Sequence, residues 1–307
     1  MAEQETKRPR PRPRPATRVS LASALRVLLK RCSDYVSGEE WRVVGRLCLL
    51  NRDVNAVIRE WIGQLLLADC SRGHEIRPVP VRFLSNENEQ VAMVQLTRLW
   101  KFQYVTRVQI PLPPAKHALP PEVLCRQRQS EDVQRVLRGR QVDVYAAYDE
   151  ATGWGVYAAQ DIAAGEYIGE YTGELISANE MRHRHATLYD RSHSNYVFVL
   201  RELRVDASSA VRTNVDATPE GCFTRFMNHS CAPTTRMEGL RVDSYVPRIV
   251  FFAQRAVTKD EELTFAYGSA STDTERASSS TNEPHQRRPC GCGARHCRGV
   301  LPFDSEL

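Results

Sequence analysis

The apolar positions of the first seventy residues recur with a helical period. Leu21, Ala24, Leu25, Leu28 and Leu29 fall on one face. Ser37-Gly-Glu-Glu40 is a capping-box pattern ahead of Trp41, Val43, Val44, Leu47 and Leu50. A third run, 54–67, follows Asn51-Arg-Asp53. Residues 19–72 therefore read as a helical region. The pattern changes over 73–139. Proline-punctuated, β-branched stretches at 78–81 and 102–108 predict short strands. From 142 onward strands are predicted over 142–147, 155–158, 167–174, 196–200, 248–253 and 262–265, with helical spacing confined to 177–185. Many short strands with few helices predict a mainly β domain of several small sheets over 140–268. Residues 269–288 are rich in Ser, Thr, Asp and Arg without apolar periodicity, which predicts a flexible linker ahead of a short tail at 289–303.

Composition narrows the picture. The 307 residues are 42% hydrophobic and 26% charged, enough for one large domain or two smaller ones. No apolar run approaches the roughly 18 residues of a membrane span, and no apolar signal segment follows the start methionine. A soluble intracellular protein with no membrane partner is expected. The net charge is +5, and residues 1–18 carry six basic side chains against Glu3 and Glu5. The body is thus close to neutral and is no general polyanion binder. In the arm, arginine alternates with proline from Arg8 to Pro15, which prevents helix and favours an extended, solvated chain. Such an arm suits a narrow minor groove of DNA, a nuclear address or a plain solvated tail.

Nine cysteines is an odd number. Cys32, Cys48 and Cys70 sit in or beside the helical runs at wide spacing, as small buried thiols do. Cys290, Cys292 and Cys297 instead lie at chelate spacing, which favours a metal over a disulfide framework in a reducing compartment. Three thiols leave a tetrahedral zinc one ligand short, and Cys231 is the candidate fourth.

Several motifs occur in one order along the chain. Gly153-Trp-Gly155 is followed by Asp161-Ile-Ala-Ala-Gly-Glu166 and Tyr167-Ile-Gly-Glu-Tyr-Thr-Gly-Glu174. Asn195-Tyr-Val-Phe198, Arg225-Phe-Met-Asn-His-Ser-Cys231 and Glu262-Leu-Thr-Phe-Ala-Tyr-Gly268 come next, then the Cys290 to Leu301 run. Together, over roughly 142–301, they resemble a SET domain with its cysteine-rich post-SET segment. SET domains are protein lysine methyltransferases that use S-adenosylmethionine. The nearest likeness is to heterochromatin-type enzymes acting on lysine nine of histone H3. Glu75-Ile-Arg-Pro-Val-Pro-Val81 is similar to the opening of their pre-SET segment. That segment normally carries nine cysteines on three zinc ions. Only Cys125 lies in the corresponding window here, so residues 73–139 are a degenerate pre-SET-like segment without the cluster.

The resemblance implies a SET fold, with small sheets around a pseudoknot. It implies a cofactor, S-adenosylmethionine, held by Gly153, Trp154, Gly155, Tyr196, Arg225, Phe226, Asn228, His229 and Leu301. Tyr171 and Tyr267 would line the lysine channel, with Tyr267 in the catalytic place and Phe265 controlling how many methyls fit. One structural zinc would be held by Cys231, Cys290, Cys292 and Cys297, the family spacing favouring thiols over His296. The implied partner is a histone tail, that of H3, in the nucleus on chromosomes, with DNA contact through residues 1–18. Three positions depart from the family: Ala266 stands for an Asp, Thr234 for an Asn and Cys222 for an Asn. The first two bear on the pseudoknot rather than on methyl transfer. A silent module that holds a tail or cofactor without turnover, and a methyltransferase of another protein, are the rival readings.

Overall fold

The computed structural model describes residues 52–84, 89–113, 116–150, 152–189, 196–203, 210–268 and 289–302. The basic arm, the two helical runs before Asn51, Cys32, Cys48 and the 269–288 linker lie outside the described residues. The chain divides into two compact units, residues 1–61 and 62–307. Among the described residues no helix is long and apolar enough to cross a membrane.

Helix α1 (Arg52–Ala68) starts with Asp53, whose charge suits a helix N-terminus. Its buried residues Val54, Val57, Ile58, Trp61, Ile62 and Leu66 form the i, i+3, i+4 stripe read from the sequence. The segment after α1 has no metal cluster among its described residues, and a carboxylate organises it instead. Asp69 accepts from the Ser71 N–H at 2.9 Å, the Ser71 hydroxyl at 2.8 Å, the Gly73 N–H at 2.8 Å and the Val79 N–H at 2.9 Å. Buried Arg140 bonds the carbonyls of Val142 and Arg77, and the Tyr104 hydroxyl donates to Glu75 at 2.9 Å. Cys70 is buried, as expected of a structural thiol.

This segment contains more helix than its strand-like pattern predicts. Strand β1 (Val81–Phe83) is followed by α2 (Glu89–Lys101), β2 (Gln103–Tyr104), α3 (Pro121–Gln127) and α4 (Glu131–Arg138). Only two residues of the 102–108 stretch form a strand. In α4, Val133 and Val136 are three apart and face one way. Both enter a core cluster with Tyr167, Val242, Val250 and Phe252, so tertiary burial carries a helix of only eight residues.

From residue 144 the chain is mainly β. In order come β3 (Val144–Asp149), β4 (Gly153–Ala158), β5 (Tyr167–Glu170), β6 (Glu174–Ile176), β7 (Val197–Leu203), β8 (Ala210–Asp216) and β9 (Glu220–Gly221). Then follow β10 (Asn228–His229), β11 (Thr235–Leu240), β12 (Arg248–Ala253) and β13 (Thr264–Phe265). Helix α5 (Ala178–Thr187) stands between β6 and β7, capped by Ser177, whose hydroxyl accepts from the Glu180 N–H. Three three-stranded sheets result, in the orders β1-β3-β4, β6-β8-β7 and β11-β12-β5. Two short parallel pairs, β2-β9 and β10-β13, join distant parts of the chain. This is the set of small sheets that the strand pattern predicts.

Strand β12 is the spine of the core. All six of its residues are buried, and it lies between β11 and β5. Gly169 of β5 lets the core close, because a Cβ there would stand 2.9 Å from Phe223 and Thr224 side-chain carbons. The cost of burial is visible at Arg248, the first residue of β12. It pairs with Glu170 through two contacts of 2.5 and 2.6 Å, and burial still pushes the Glu170 carboxyl above its usual range. Arg248→Met leaves that carboxylate buried without its cation. It is expected to lower the unfolding free energy by about 3–5 kcal/mol in a urea titration. A loss below about 1 kcal/mol, the worth of an exposed pair, contradicts this account.

Candidate active site and metal centre

The site is built where two segments distant in sequence pair. A short 3₁₀ turn (Phe223–Phe226) delivers the chain into β10, which runs parallel to β13 with Asn228 opposite Thr264 and His229 opposite Phe265. The Ser230 N–H continues the ladder to the Phe265 carbonyl at 3.1 Å. Threonines reinforce it. The Thr234 hydroxyl accepts from the Thr264 N–H at 2.8 Å and donates to the Glu262 carbonyl at 3.1 Å, while Thr235 donates to the Thr264 carbonyl at 2.8 Å. Thr234 therefore bonds across the junction despite standing where the family has Asn. Cys222, the second departure, donates its thiol to the Glu170 carbonyl at 3.0 Å. Ala266, the third, is exposed, so the position of the missing carboxylate faces water.

Tyr267 is tied to the opposing segment at both ends. Its N–H donates to His229 Nδ1 at 3.0 Å, and its hydroxyl donates to the Met227 carbonyl at 3.0 Å. An accepting Nδ1 puts the proton of a neutral ring on Nε2. Nε2 faces the Cys231 sulfur at 3.3 Å. Tyr171 is buried on the other side and donates its hydroxyl to the Tyr196 carbonyl at 2.8 Å. Burial pushes both phenols well above their ordinary range, so both stay protonated. Each hydroxyl thus gives its proton to a main-chain carbonyl and keeps its lone pairs for a further contact.

Phe265 links the two tyrosines into one aromatic wall. Its ring lies 4.7 Å from Tyr267, 4.9 Å from Phe251 and 5.8 Å from Phe198, and Phe198 lies 5.1 Å from Tyr171. Phe198 and Phe251 belong to this wall without having been singled out in the sequence.

A second group of predicted residues gathers around β4. Trp154 lies 5.2 Å from the Phe226 ring, and Tyr196 meets Phe226 edge-on at 6.4 Å. The Arg225 guanidinium lies over the Tyr196 ring at 3.8 Å. Asn228 donates from one amide nitrogen to the Trp154 carbonyl at 2.9 Å and to Glu262 at 2.8 Å. Gly155 makes room for this, because a Cβ there would stand 2.8 Å from the same Glu262 oxygen. Glu262 is a site residue the sequence reading missed. Burial raises its carboxyl and the Asn228 amide pulls it back. Gly153, with φ of +78°, has open space where a side chain would stand. Leu301 is half-buried in the tail, and its neighbour Pro302 lies beside Gly268.

The four predicted metal ligands converge. The sulfurs of Cys231, Cys290, Cys292 and Cys297 all lie within 4.8 Å of one another, and His296 is not among them. Cys231 and Cys290 are 4.0 Å apart, close to the roughly 3.8 Å edge of a tetrahedron with Zn–S bonds of about 2.3 Å. Main-chain N–H groups point at the sulfurs. Arg298 donates to Cys231 at 3.5 Å, and Gly299 donates to Cys297 at 3.4 Å. The N–H groups of Cys231 and Ala294 pull the Cys292 thiol down to about 6, while burial pushes Cys290 up to about 12. The donor set and its spacing fit one structural zinc.

Comparison with known proteins now decides the family of this region. Residues 153–268 match the model of the SET domain. This part of the chain has the SET fold. Human "Histone-lysine N-methyltransferase SETMAR" is 35% identical over 191 residues, which is 60% of this chain and 27% of that protein. Arabidopsis thaliana "Histone-lysine N-methyltransferase SUVR3" is 35% identical over 175 residues, 55% and 47% of the two chains. This chain spans between 6% and 62% of the length of the curated relatives it matches. Among solved structures, the methyltransferase domain of human SETMAR superposes with a TM-score of 0.58 at 24% identity, covering 77% of this chain and 98% of that one. Arabidopsis thaliana SUVH6, solved in complex with SAM, gives 0.56 at 21%, covering 76% and 55%. These two likenesses establish the SET fold for the described chain.

Elemental analysis of purified protein is expected to find one zinc per chain. Cys297→Ser should lower that ratio and release zinc to a chelator faster than wild type. An unchanged stoichiometry in the variant counts against the four-thiol site.

Proposed function

We propose that this chain is an S-adenosylmethionine-dependent protein lysine methyltransferase that acts on a histone tail, with lysine nine of histone H3 as its target, in the nucleus on chromosomes. One observation carries the reading. A buried tyrosine and a half-buried one, both protonated and both with lone pairs to spare, stand at opposite ends of an aromatic wall beside the gathered cofactor motifs. The names of the relatives, which include SETMAR, SUVR3 and SUV39H2 histone-lysine methyltransferases, support the same reading.

In this reading Gly153, Trp154, Gly155, Tyr196, Arg225, Phe226, Asn228, His229 and Leu301 hold the cofactor. When bound, S-adenosylmethionine supplies a sulfonium methyl that passes in line to the lysine amine. Tyr171, Phe265 and Tyr267 line the channel for that lysine. The amine must arrive neutral, which costs roughly 3 kcal/mol at pH 8 for a pKa of about 10.4. The apolar faces of Phe198, Phe251 and Phe265 lower that cost by keeping water from the ammonium form. Neither phenol serves as a base, because each keeps its own proton. With the cofactor bound, the lone pairs of Tyr171 and Tyr267 would be free to contact the polarised methyl and so contribute by alignment. Thr234 bonds across the junction in spite of its departure from the family pattern, which favours turnover over a silent module.

Phe265 should permit more than one methyl, since no hydroxyl there holds a water against the amine. Mass spectrometry of an H3 tail peptide over time is expected to show di- or trimethyl-lysine from the wild type. Phe265→Tyr should shift the products toward monomethyl-lysine, and Tyr267→Phe should slow all transfer about a hundredfold, the scale of a lost positioning contact. A panel of other histone tails tests the target. Cofactor binding without transfer to any tail returns the silent-module reading.

The arm gives a separate prediction. Six basic residues within eighteen positions should neutralise several DNA phosphates. Deleting residues 1–18 should weaken DNA binding and flatten the slope of log affinity against log salt. Equal slopes for the two chains leave the arm as an address or a tail.

A further inference from the structure

The cofactor-side cluster contains one ring from outside the SET domain. Arg225 is sandwiched: its guanidinium carbon lies 3.8 Å from the centroid of Tyr196 and 4.1 Å from that of Phe102. Tyr196 belongs to the SET domain, whereas Phe102 follows α2 in the pre-SET-like segment. The Arg225 Nε is buried without a hydrogen-bond partner in the described structure, and Nη1 makes a long bond of 3.4 Å to the Thr218 carbonyl. The rings of Tyr196 and Phe102 lie nearest to this guanidinium, with Phe226 farther off at 5.3 Å.

Phe102 is well placed for that work. Its N–H closes on the Arg98 carbonyl at 3.2 Å, and its own carbonyl receives the Arg72 guanidinium. The next two residues form β2, whose parallel pairing sets Gln103 against Glu220 and Tyr104 against Gly221. The Phe102 ring passes so close to Gly221 that a Cβ there would stand 3.3 Å from its edge. The same ring lies 6.5 Å from Phe226. The ring is 9% exposed, so the stacking is largely out of water, where a cation over a ring is worth most.

We propose that Phe102 is a positioning residue of the cofactor site, which holds the Arg225 guanidinium against Tyr196 and so makes the pre-SET-like segment a working part of that site. The proposal rests on the cofactor reading given above. The probe is S-adenosylhomocysteine, titrated calorimetrically into the full chain. Phe102→Leu and Phe102→Met keep apolar bulk and remove the π face, while Phe102→Tyr keeps it. The two apolar variants are expected to weaken binding about tenfold, the scale of a desolvated cation–π contact, and the tyrosine variant by less than about twofold. In turnover the KM for S-adenosylmethionine should rise in step, and the KM for the histone peptide should not move. Unfolding midpoints are read alongside. Wild-type affinity in either apolar variant overturns the proposal, and so does equal weakening in all three, which marks a purely structural ring. A wild-type chain that binds no S-adenosylhomocysteine overturns the cofactor reading itself, and this proposal with it.

Discussion

The parallel pairing of Asn228–His229 with Thr264–Phe265 holds this site together, although it comprises only two residues on each side. So short a ladder supplies little stability by itself, since each hydrogen bond nets only about 1 kcal/mol. Its weight comes from what meets there. Thr234 and Thr235 bond across it, Tyr267 is fixed to both segments, and β12 lies behind it as a fully buried strand. Because both strands are internal to the chain, the junction forms only after the surrounding sheets have brought them together. Such non-local contacts are paid for in loop entropy before they return anything.

The same junction places the metal centre and the aromatic wall two bonds apart. Cys231 lies two residues beyond the end of β10, and His229 stands between its sulfur and the Tyr267 backbone. With Nδ1 occupied by the Tyr267 N–H, the ring has its remaining proton directed at a sulfur. A histidine held in this way gives a thiolate a donor and gives the tyrosine a fixed backbone. The tail cysteines thereby brace a residue of the wall without touching it.

Much of this was legible in the sequence because it is carried by compact motifs. The run from Arg225 to Cys231 and the tail cysteines keep their chemistry within a few residues, and the structure brings the four thiols together. The continuous apolar run of β12 read correctly as a strand. Strands β8 and β11 did not, because buried positions such as Thr213, Asn214 and Thr235 are polar, and the bonds of Asn214 to the Ile176 carbonyl and of Thr235 to the Thr264 carbonyl reach distant segments. Helix α4 escaped because two valines in eight residues are too few to set a period. Glu262, Phe198, Phe251 and Phe102 went unnoticed for a shared reason. Each owes its place to a neighbour far away in sequence, and no local pattern encodes that.

The Asp69 carboxylate gathers four donors in the stretch that follows α1. A carboxylate needs no supply from the cell and cannot be stripped by a chelator or oxidised. The segment is therefore held together without metal or redox chemistry. Metal scarcity would then strike this chain at one end only. The flank that carries Phe102 would keep its shape while the cysteine tail came loose, a graded failure rather than a general one.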